Sequence, residues 1–570
     1  MSQWNSTDPR WYAWYLVCEI LYPRGRSDLV SLCLVSKTVN NAAIPFLYRS
    51  INVEVSENLL VESRDRLAHR LFDASHESPQ CFVKEITVSA PDKMVMIGRG
   101  RRRLSALIKR LPNLRCVRFK MPCDFKMRYM SSIEEHPNKP QLHLLAESGL
   151  ISCPRSLPAV TAFRVKDDSD YDGDKGPNYF LSYIASYPNL KSVIWKRRDY
   201  FYRPYRVSGF DMDNIFRSLE HLALDGHILS NGIWDWPHGP FNLSNLSSLE
   251  LGPDWMSASS NLSLLTGHMV NLRRLKVRTK LWETRQLCQP LINFLLSFDT
   301  LVDLTIINLF VSFHAITGHT GLVNLRVHEE ETRRSGYASH MPGKQDLISL
   351  DVSCPHLETL ELDVERVSNG WPTEVLETFA SRFPNMKILS LHFTIDYWRH
   401  NLTESERLQF DGAADDFFKL YSTYKEAREI GALFYAIRHE VFKKSPECVE
   451  MVGGLGRLRK LTLSVGTGRG CPHQRLNSIF EETQLPNTFN FDVLPPKTVG
   501  EVPRLVHRER ELAEQFYQSS PNAQLQNYLQ DLIMVAEEGP RRVKSLSMRG
   551  AGIIPLARMR ASRLAHMGSL

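Results

Sequence analysis

Residues 357–362 read Leu357-Glu358-Thr359-Leu360-Glu361-Leu362, and residues 322–327 read Leu322-Val323-Asn324-Leu325-Arg326-Val327. Both follow one pattern: an apolar residue, two further residues, an apolar residue, one further residue, and a third apolar residue. The last three positions alternate as in a short β-strand, and the first position packs beneath the strand in the preceding turn. One such unit cannot bury its own apolar side, whereas a stack of units can. The pattern therefore predicts a repeated structure.

The same pattern recurs along most of the chain. Between Val160 and Met386 its first positions are 21 to 35 residues apart, at or just above the period of about 20–29 residues that is typical of leucine-rich repeats. The matches are Val83-Ile86-Val88, Leu114-Val117-Phe119, Val160-Phe163-Val165, Leu190-Val193-Trp195, Leu219-Leu222-Leu224, Leu246-Leu249-Leu251, Leu272-Leu275-Val277, Leu301-Leu304-Ile306, Leu322-Leu325-Val327, Leu357-Leu360-Leu362, Met386-Leu389-Leu391, Leu458-Leu461-Leu463 and Val543-Leu546-Met548. The chain thus resembles the irregular leucine-rich repeats, which lack a regular Asn or Cys after the strand.

Helices are predicted between the strands. Pro-Asn-Leu precedes several matches, as at Pro112-Asn113-Leu114, and proline ends the helix before it. The fold class predicted is α/β: an N-terminal helical module, then a leucine-rich-repeat solenoid (a horseshoe with a parallel sheet) with helical insertions. The central leucines are expected at equivalent buried sites in one parallel sheet: Leu249, Leu275, Leu304, Leu325 and Leu360. A set of independent α/β domains is the alternative.

The N-terminal segment predicts short helices. Leu16, Val17, Ile20 and Leu21 fall at helical spacings, and Pro23 ends that helix. The next helix is apolar nearly all round, so it needs cover on more than one side. A partner protein or a following domain is therefore implied.

The order of residues in this segment resembles the F-box domain in its fungal form. The resemblance rests on Glu19-Ile20-Leu21, Asp28-Leu29, Leu34-Val35-Ser36-Lys37 and Pro45-Phe46-Leu47-Tyr48-Arg49-Ser50-Ile51, while Val17 stands where the family usually has proline. It implies a three-helix module that binds the small adaptor subunit of cullin-based (SCF) ubiquitin ligases. A helical cap over the following domain is the alternative. The partner-binding residues implied are Leu16, Ile20, Leu21, Leu29, Leu32, Val35, Pro45, Leu47 and Tyr48.

Four regions are predicted in all. They are an F-box-like module at 11–50, a repeat solenoid at 51–391, a helical insertion at 392–457, and a C-terminal repeat with helices at 458–570. In the insertion, residues 413–444 are predicted to form an amphipathic helix docked on the repeats, with Arg428 and Arg438 on its surface. Helices are also predicted at 504–516 and 524–535, and a loop at 486–503.

Catalytic, metal and cofactor signatures are incomplete. The acidic run at 167–174 resembles a calcium loop, but Tyr179 stands where that loop needs a bidentate Glu. Gly466, Gly468 and Gly470 do not have dinucleotide-loop spacing, and no paired nucleophile and base is evident. We therefore expect no enzyme activity, no catalytic residue, no cofactor and no metal. The basic run at 99–103 is expected to be a solvated loop before a helix.

Composition limits the partners and the compartment. The chain has 570 residues, 43% hydrophobic and 23% charged, with a formal net charge of +7, which gives no field suited to wrapping nucleic acid. Its ten cysteines include no Cys-x-x-Cys pair. No apolar run approaches the roughly 18 residues of a membrane span, and no secretion signal is evident. We expect a cytoplasmic or nuclear protein without nucleic-acid or membrane partners.

The function predicted is that of a substrate-recognition subunit of an SCF-type E3 ubiquitin ligase. The F-box-like module would bind the adaptor, and the repeats would bind a target protein that the sequence does not identify. The alternative is a leucine-rich-repeat interaction scaffold with no ubiquitin-ligase role.

Overall fold

The computed structural model describes most of the predicted repeats. The described residues are 9–22, 26–54, 79–89, 98–121, 128–146, 158–167, 187–197, 205–207, 216, 218–225, 227–229, 242–252, 262, 265–279, 284–309, 311–328, 342–364, 372–393, part of 430–441, 458–465, 488–494 and 504–507. The chain forms two compact units, Met1–Arg273 and Arg274–Leu570.

The first unit begins with three helices: α1 (Pro9–Leu21), α2 (Arg26–Cys33) and α3 (Lys37–Leu47). The helix α3 starts where Ser36 caps it, because the backbone N–H of Val39 donates to Ser36 Oγ at 3.2 Å. The helices share a small core of Cys18, Leu29, Ala43 and Phe46.

A parallel sheet follows in the first unit. Its strands, in chain order and in sheet order, are β1 (Ser50–Glu54), β2 (Glu85–Ser89), β3 (Cys116–Met121), β4 (Gln141–Ala146), β5 (Val160–Asp167), β6 (Ser192–Arg197), β8 (His221–Asp225) and β10 (Ser248–Leu251). Two short strands, β7 (Tyr205–Val207) and β9 (His227–Leu229), pair separately. The described helices between the strands are α4 (Gly98–Arg110) and α5 (Arg128–Glu134). The basic run at 99–103 therefore lies inside α4, and its prediction as a loop is wrong.

The second unit repeats strand and helix more regularly. Its parallel strands are β11 (Arg274–Arg278), β12 (Asp303–Ile307), β13 (Asn324–His328), β14 (Thr359–Val364), β15 (Ile388–Phe393) and β16 (Lys460–Val465). Between them lie α6 (Thr284–Leu295), α7 (Phe313–Thr317), α8 (Lys344–Ser353) and α9 (Thr373–Ser381). The prediction of an α/β fold with parallel strands is confirmed, and the open sheet is compatible with a solenoid.

The central residue of each pattern within the described strands occupies the same row of the sheet. Leu304 pairs in register with Leu275 on one side and Leu325 on the other, and Leu325 pairs with Leu360. Leu249 pairs with a buried leucine of the first unit, and all five predicted leucines are at most 1% exposed. The residues between the buried positions lie on the other side of each sheet, which we call the open face.

A row of main-chain hydrogen bonds joins successive repeats before each strand begins. The carbonyl of Val302 accepts the N–H of Val323 at 2.8 Å, and that of Val323 accepts the N–H of Glu358 at 2.8 Å. In the next repeats the carbonyl of Glu358 accepts the N–H of Lys387 at 2.7 Å, and the carbonyl of Lys387 accepts the N–H of Arg459 at 2.8 Å. It fixes the turn of one repeat against the next, so the backbone groups of these turns are satisfied.

The turns before the strands add a second row of hydrogen bonds, made by asparagine side chains, two of which, Asn113 and Asn189, belong to the Pro-Asn-Leu sequence. The Asn385 side-chain amide donates to the carbonyl of Pro355, 30 residues earlier, at 2.8 Å. The same bond to the previous turn joins Asn113 to Cys81, Asn138 to Pro112, Asn189 to Pro158 and Asn271 to Ser244. The recurrent asparagine therefore links neighbouring repeats.

Replacing Asn385 with alanine should lower the free energy of unfolding by about 1 kcal/mol, because the Pro355 carbonyl loses its side-chain donor. The matched control is Asn293→Ala, since Asn293 is exposed on α6 and accepts a hydrogen bond from the Gln289 side chain on the same helix; its cost should be near zero. Urea denaturation measures both. Equal losses would contradict the role of the turn asparagine.

The C-terminal part of the second unit differs from the prediction. Residues Thr488–Leu494 form strand β17 and Arg504–His507 form strand β18, and both pair antiparallel at the end of the sheet. The loop predicted at 486–503 is therefore wrong over 488–494, and the helix predicted at 504–516 is wrong over 504–507. The remaining residues of both predictions lie outside the described residues. The predicted helix at 524–535 and the last pattern at Val543 lie outside the described residues.

The described residues of the insertion are helical and contact α9. Within 430–441 Phe434 and Arg438 are buried. The Arg438 guanidinium donates to the carbonyls of Arg382 at 3.0 Å and Phe383 at 2.9 Å, just beyond the end of α9, with a longer contact of 3.5 Å to Phe379. The surface position predicted for Arg438 is wrong, because it caps the carbonyls that a helix end leaves unpaired. Arg428 lies outside the described residues.

Candidate functional site

The N-terminal helices carry a concentration of exposed apolar side chains. Ile20 on α1 is 62% exposed, and Leu34, in the turn after α2, is 85% exposed. We call the whole set the exposed apolar face; it consists of Tyr12, Leu16, Val17, Ile20, Val30, Leu34 and Val35. Several exposed apolar side chains within one small module are typical of a protein-binding site.

The helix α1 is apolar on two sides, which explains this exposure. On its inner side Tyr15 packs on the ring of Phe46, with centroids 4.8 Å apart, and Cys18 is fully buried. On its outer side Tyr12, Leu16 and Ile20 follow one another at four-residue steps, so they form one stripe. The core of the module occupies only the inner side, and the outer stripe has solvent in front of it.

The structure divides the predicted partner-binding residues into two groups. Leu16, Ile20 and Val35 are exposed, whereas Leu29 is 1% exposed in the core. Leu21, Leu32 and Leu47 pack against that core. Pro45 lies within α3, Tyr48 follows its end, and both are half-buried.

Four residues of the exposed apolar face are not among those predicted. They are Tyr12, Val17, Val30 and Leu34. The four-residue spacing of Tyr12 to Leu16 and Ile20 is a signal in the sequence that could have identified the first of them. Leu34 has no such signal, because its exposure depends on the turn between Cys33 and Lys37.

The thiols of the module are unsuited to nucleophilic chemistry. Burial raises the pKa of Cys18, with a smaller contribution from Cys33, and burial raises the pKa of Cys33 as well. Both are free cysteines, and a raised pKa keeps a thiol protonated at neutral pH. The exposed apolar face therefore offers contact surface rather than reactive groups.

A cationic row borders the module where the sheet begins. Burial lowers the pKa of Lys84, and the positive charges of Arg49 and Arg115 lower it further, against the opposing charge of Glu19. The Arg49 guanidinium also lies over the ring of Tyr22, 5.2 Å from its centroid. This contact ties the end of α3 to the end of α1.

The open faces of the sheets form a second candidate surface, made of charged side chains. In the first unit Lys196 on β6 forms an ion pair with Glu250 on β10 at 2.8 Å, and Arg118 on β3 pairs with Glu85 on β2 at 3.1 Å. Such surfaces recognise partner proteins by charge and hydrogen bonding rather than by apolar contact.

Neither a metal centre nor a membrane span emerges from the part of the chain that the structure describes. No three described His, Cys, Asp or Glu side chains converge so that they could hold a metal ion. Among the same residues, no helix has the length and apolar character needed to cross a bilayer. The predicted acidic loop at 168–174 and the glycines at 466–470 lie outside the described residues.

Comparison with known proteins adds no relative. The chain matches no family model, and a search of curated proteins gives no significant match.

Proposed function

We propose that this chain is the substrate-recognition subunit of an SCF-type E3 ubiquitin ligase. Its N-terminal helices would bind the adaptor subunit, and its repeats would bind a target protein. The single observation that carries the proposal is the exposed apolar face, which lies on the segment that resembles an F-box.

The exposures within that segment support adaptor binding over the alternative of a helical cap. Ile20 and Leu34 lie in two of the four stretches that carry the resemblance, and each is more than half exposed. A cap over the following repeats would bury these side chains within the chain. Burying a side chain of this size stabilises a complex by roughly 1.5–3 kcal/mol, so an adaptor that covers both side chains would gain binding free energy.

The open faces of the repeats are the proposed target-binding surfaces. Most of their outward side chains are charged or polar, and many are only partly buried, as Arg326 and Glu361 are in the second unit. The subunit does no bond chemistry itself. It raises the local concentration of the target near a recruited conjugating enzyme.

The proposal is tested by titrating the purified full chain with the purified adaptor subunit in a calorimeter. We expect a 1:1 complex with a Kd of about 1 µM or tighter. Absence of binding by a chain that is folded by circular dichroism would overturn the proposal and leave the interaction scaffold as the remaining function.

A further inference from the structure

Two histidines lie stacked on the open face of the second unit. The rings of His328 on β13 and His392 on β15 have centroids 4.1 Å apart. His328 Nδ1 is 2.7 Å from Asp363 Oδ1, and His392 Nε2 is 2.8 Å from Glu361 Oε1. Both carboxylates belong to β14, which runs between the two histidine strands.

Arg326 completes this cluster. Its Nε is 3.1 Å from Glu361 Oε2, so Glu361 binds a guanidinium and an imidazole at once. The flanking strands add no charge opposite the rings: Ile307 of β12 is in register with His328, and Ser464 of β16 is in register with His392. The nearest charges on those strands, Asp303 and Lys460, lie at their first residues.

Burial and charge act in opposite directions on these groups. Burial alone would lower the pKa of His328, but the hydrogen bond and charge of Asp363, with the charge of Glu361, outweigh it and raise that pKa. Burial would raise the pKa of Glu361, but His392 and Arg326 hold it below its usual range. The His328–Asp363 contact is well shielded, with side chains 9% and 11% exposed.

Because folding raises the pKa of His328, the stability of the folded chain depends on pH. Its bound proton stabilises the folded chain fully below pH 6.5, the ordinary value for imidazole, and this contribution is lost as the pH rises through the raised pKa. With one proton on the pair, the charges of that imidazolium, Arg326 and the two carboxylates cancel. A second proton would place two imidazolium rings 4.1 Å apart, where like charges repel strongly.

We propose that His328 and His392 together form a proton-binding switch on the open face of β13, β14 and β15. The pair binds a first proton, which the two carboxylates of β14 stabilise. A second proton, taken up on acidification, separates the rings and gives this face a net positive charge. The switch is a property of the second unit and does not depend on adaptor binding.

The test is a pH titration of the full chain, labelled with ¹³C at the histidine Cε1 positions, followed by NMR between pH 8 and 5. Loss of a signal in His328→Gln and in His392→Gln assigns the two rings. We expect each of their signals to report two steps separated by at least about one pH unit, because each protonation changes the surroundings of both stacked rings. In either variant the remaining ring should titrate in one step.

The matched control is His356→Gln, because His356 is exposed in the turn before β14; it should leave both steps in place. Single-step curves for both rings, each unaffected by replacement of the other, would overturn the switch. The wild-type titration tests the proposal even if a glutamine variant does not fold. If no histidine signal of the wild-type chain shows a second step, the proposal is contradicted.

Discussion

The double variant Ile20→Asp and Leu34→Asp is expected to bind the ligase adaptor at least about 100-fold more weakly than the wild-type chain. Both side chains lie on the exposed apolar face, 62% and 85% exposed, and contact no part of the module's core. In the complex they would be covered by apolar surface of the adaptor. A carboxylate there loses its hydration without gaining a partner, which costs several kcal/mol.

The control is Val352→Asp, which makes the same chemical change on α8 of the second unit. Val352 is 71% exposed, so the variant should fold and bind the adaptor as the wild-type chain does. Calorimetric titration measures both affinities. Unchanged affinity in a folded double variant would contradict adaptor docking through this face. Leu21 is unsuitable for the test, because it packs against the core and its replacement would also loosen the module.

The strands were predictable because burial imposes a pattern on them. The central and last positions of each repeat face one side, and the turn residue before them is buried as well, so three apolar residues recur at fixed spacing. The strand β4 escaped prediction because its turn position holds Lys139, whose φ of 43° puts it in the left-handed region. The strand β1 escaped because Tyr48, which ends α3, stands at that position.

The antiparallel strands at the end of the second unit had a signal that proline obscured. Phe489, Phe491 and Val493 alternate with polar residues, as the strand β17 requires. The prolines at 486 and 495–496 favour a loop in a local analysis. Pairing with β16 decides otherwise, and pairing between distant segments is not visible in local sequence.

The location of the candidate site could be predicted from the sequence, but which of its side chains are exposed could not. The order of residues indicates helices in the N-terminal segment, and neighbouring apolar residues such as Leu29 and Val30 look equivalent in the sequence. The structure buries Leu29 and exposes Val30, because the third helix covers only one side of α2. Which side a short apolar helix buries depends on the arrangement of its neighbours.

The second large effect is expected at Arg438, whose side chain is fully buried. Phe383, one of its acceptors, has a φ of 56°, a left-handed conformation that is unfavourable for a residue with a side chain. Two hydrogen bonds hold the Phe383 backbone in this conformation. The carboxylate of Asp351 accepts the N–H of Phe383 at 2.9 Å, and the Arg438 guanidinium donates to the carbonyl of Phe383 at 2.9 Å.

Replacing Arg438 with methionine should therefore lower the free energy of unfolding by about 3 kcal/mol, since it removes charged donors from buried carbonyls at the end of α9. Arg382→Met is the matched control. The Arg382 side chain is 37% exposed and contacts Asp351 at 3.3 Å, so its loss should cost less than about 1 kcal/mol. Urea denaturation of the two variants measures the difference. A stable Arg438→Met variant would mean that the insertion is not anchored to α9 through this residue. The expected fall in the free energy of unfolding would instead show that the insertion stabilises the folded second unit.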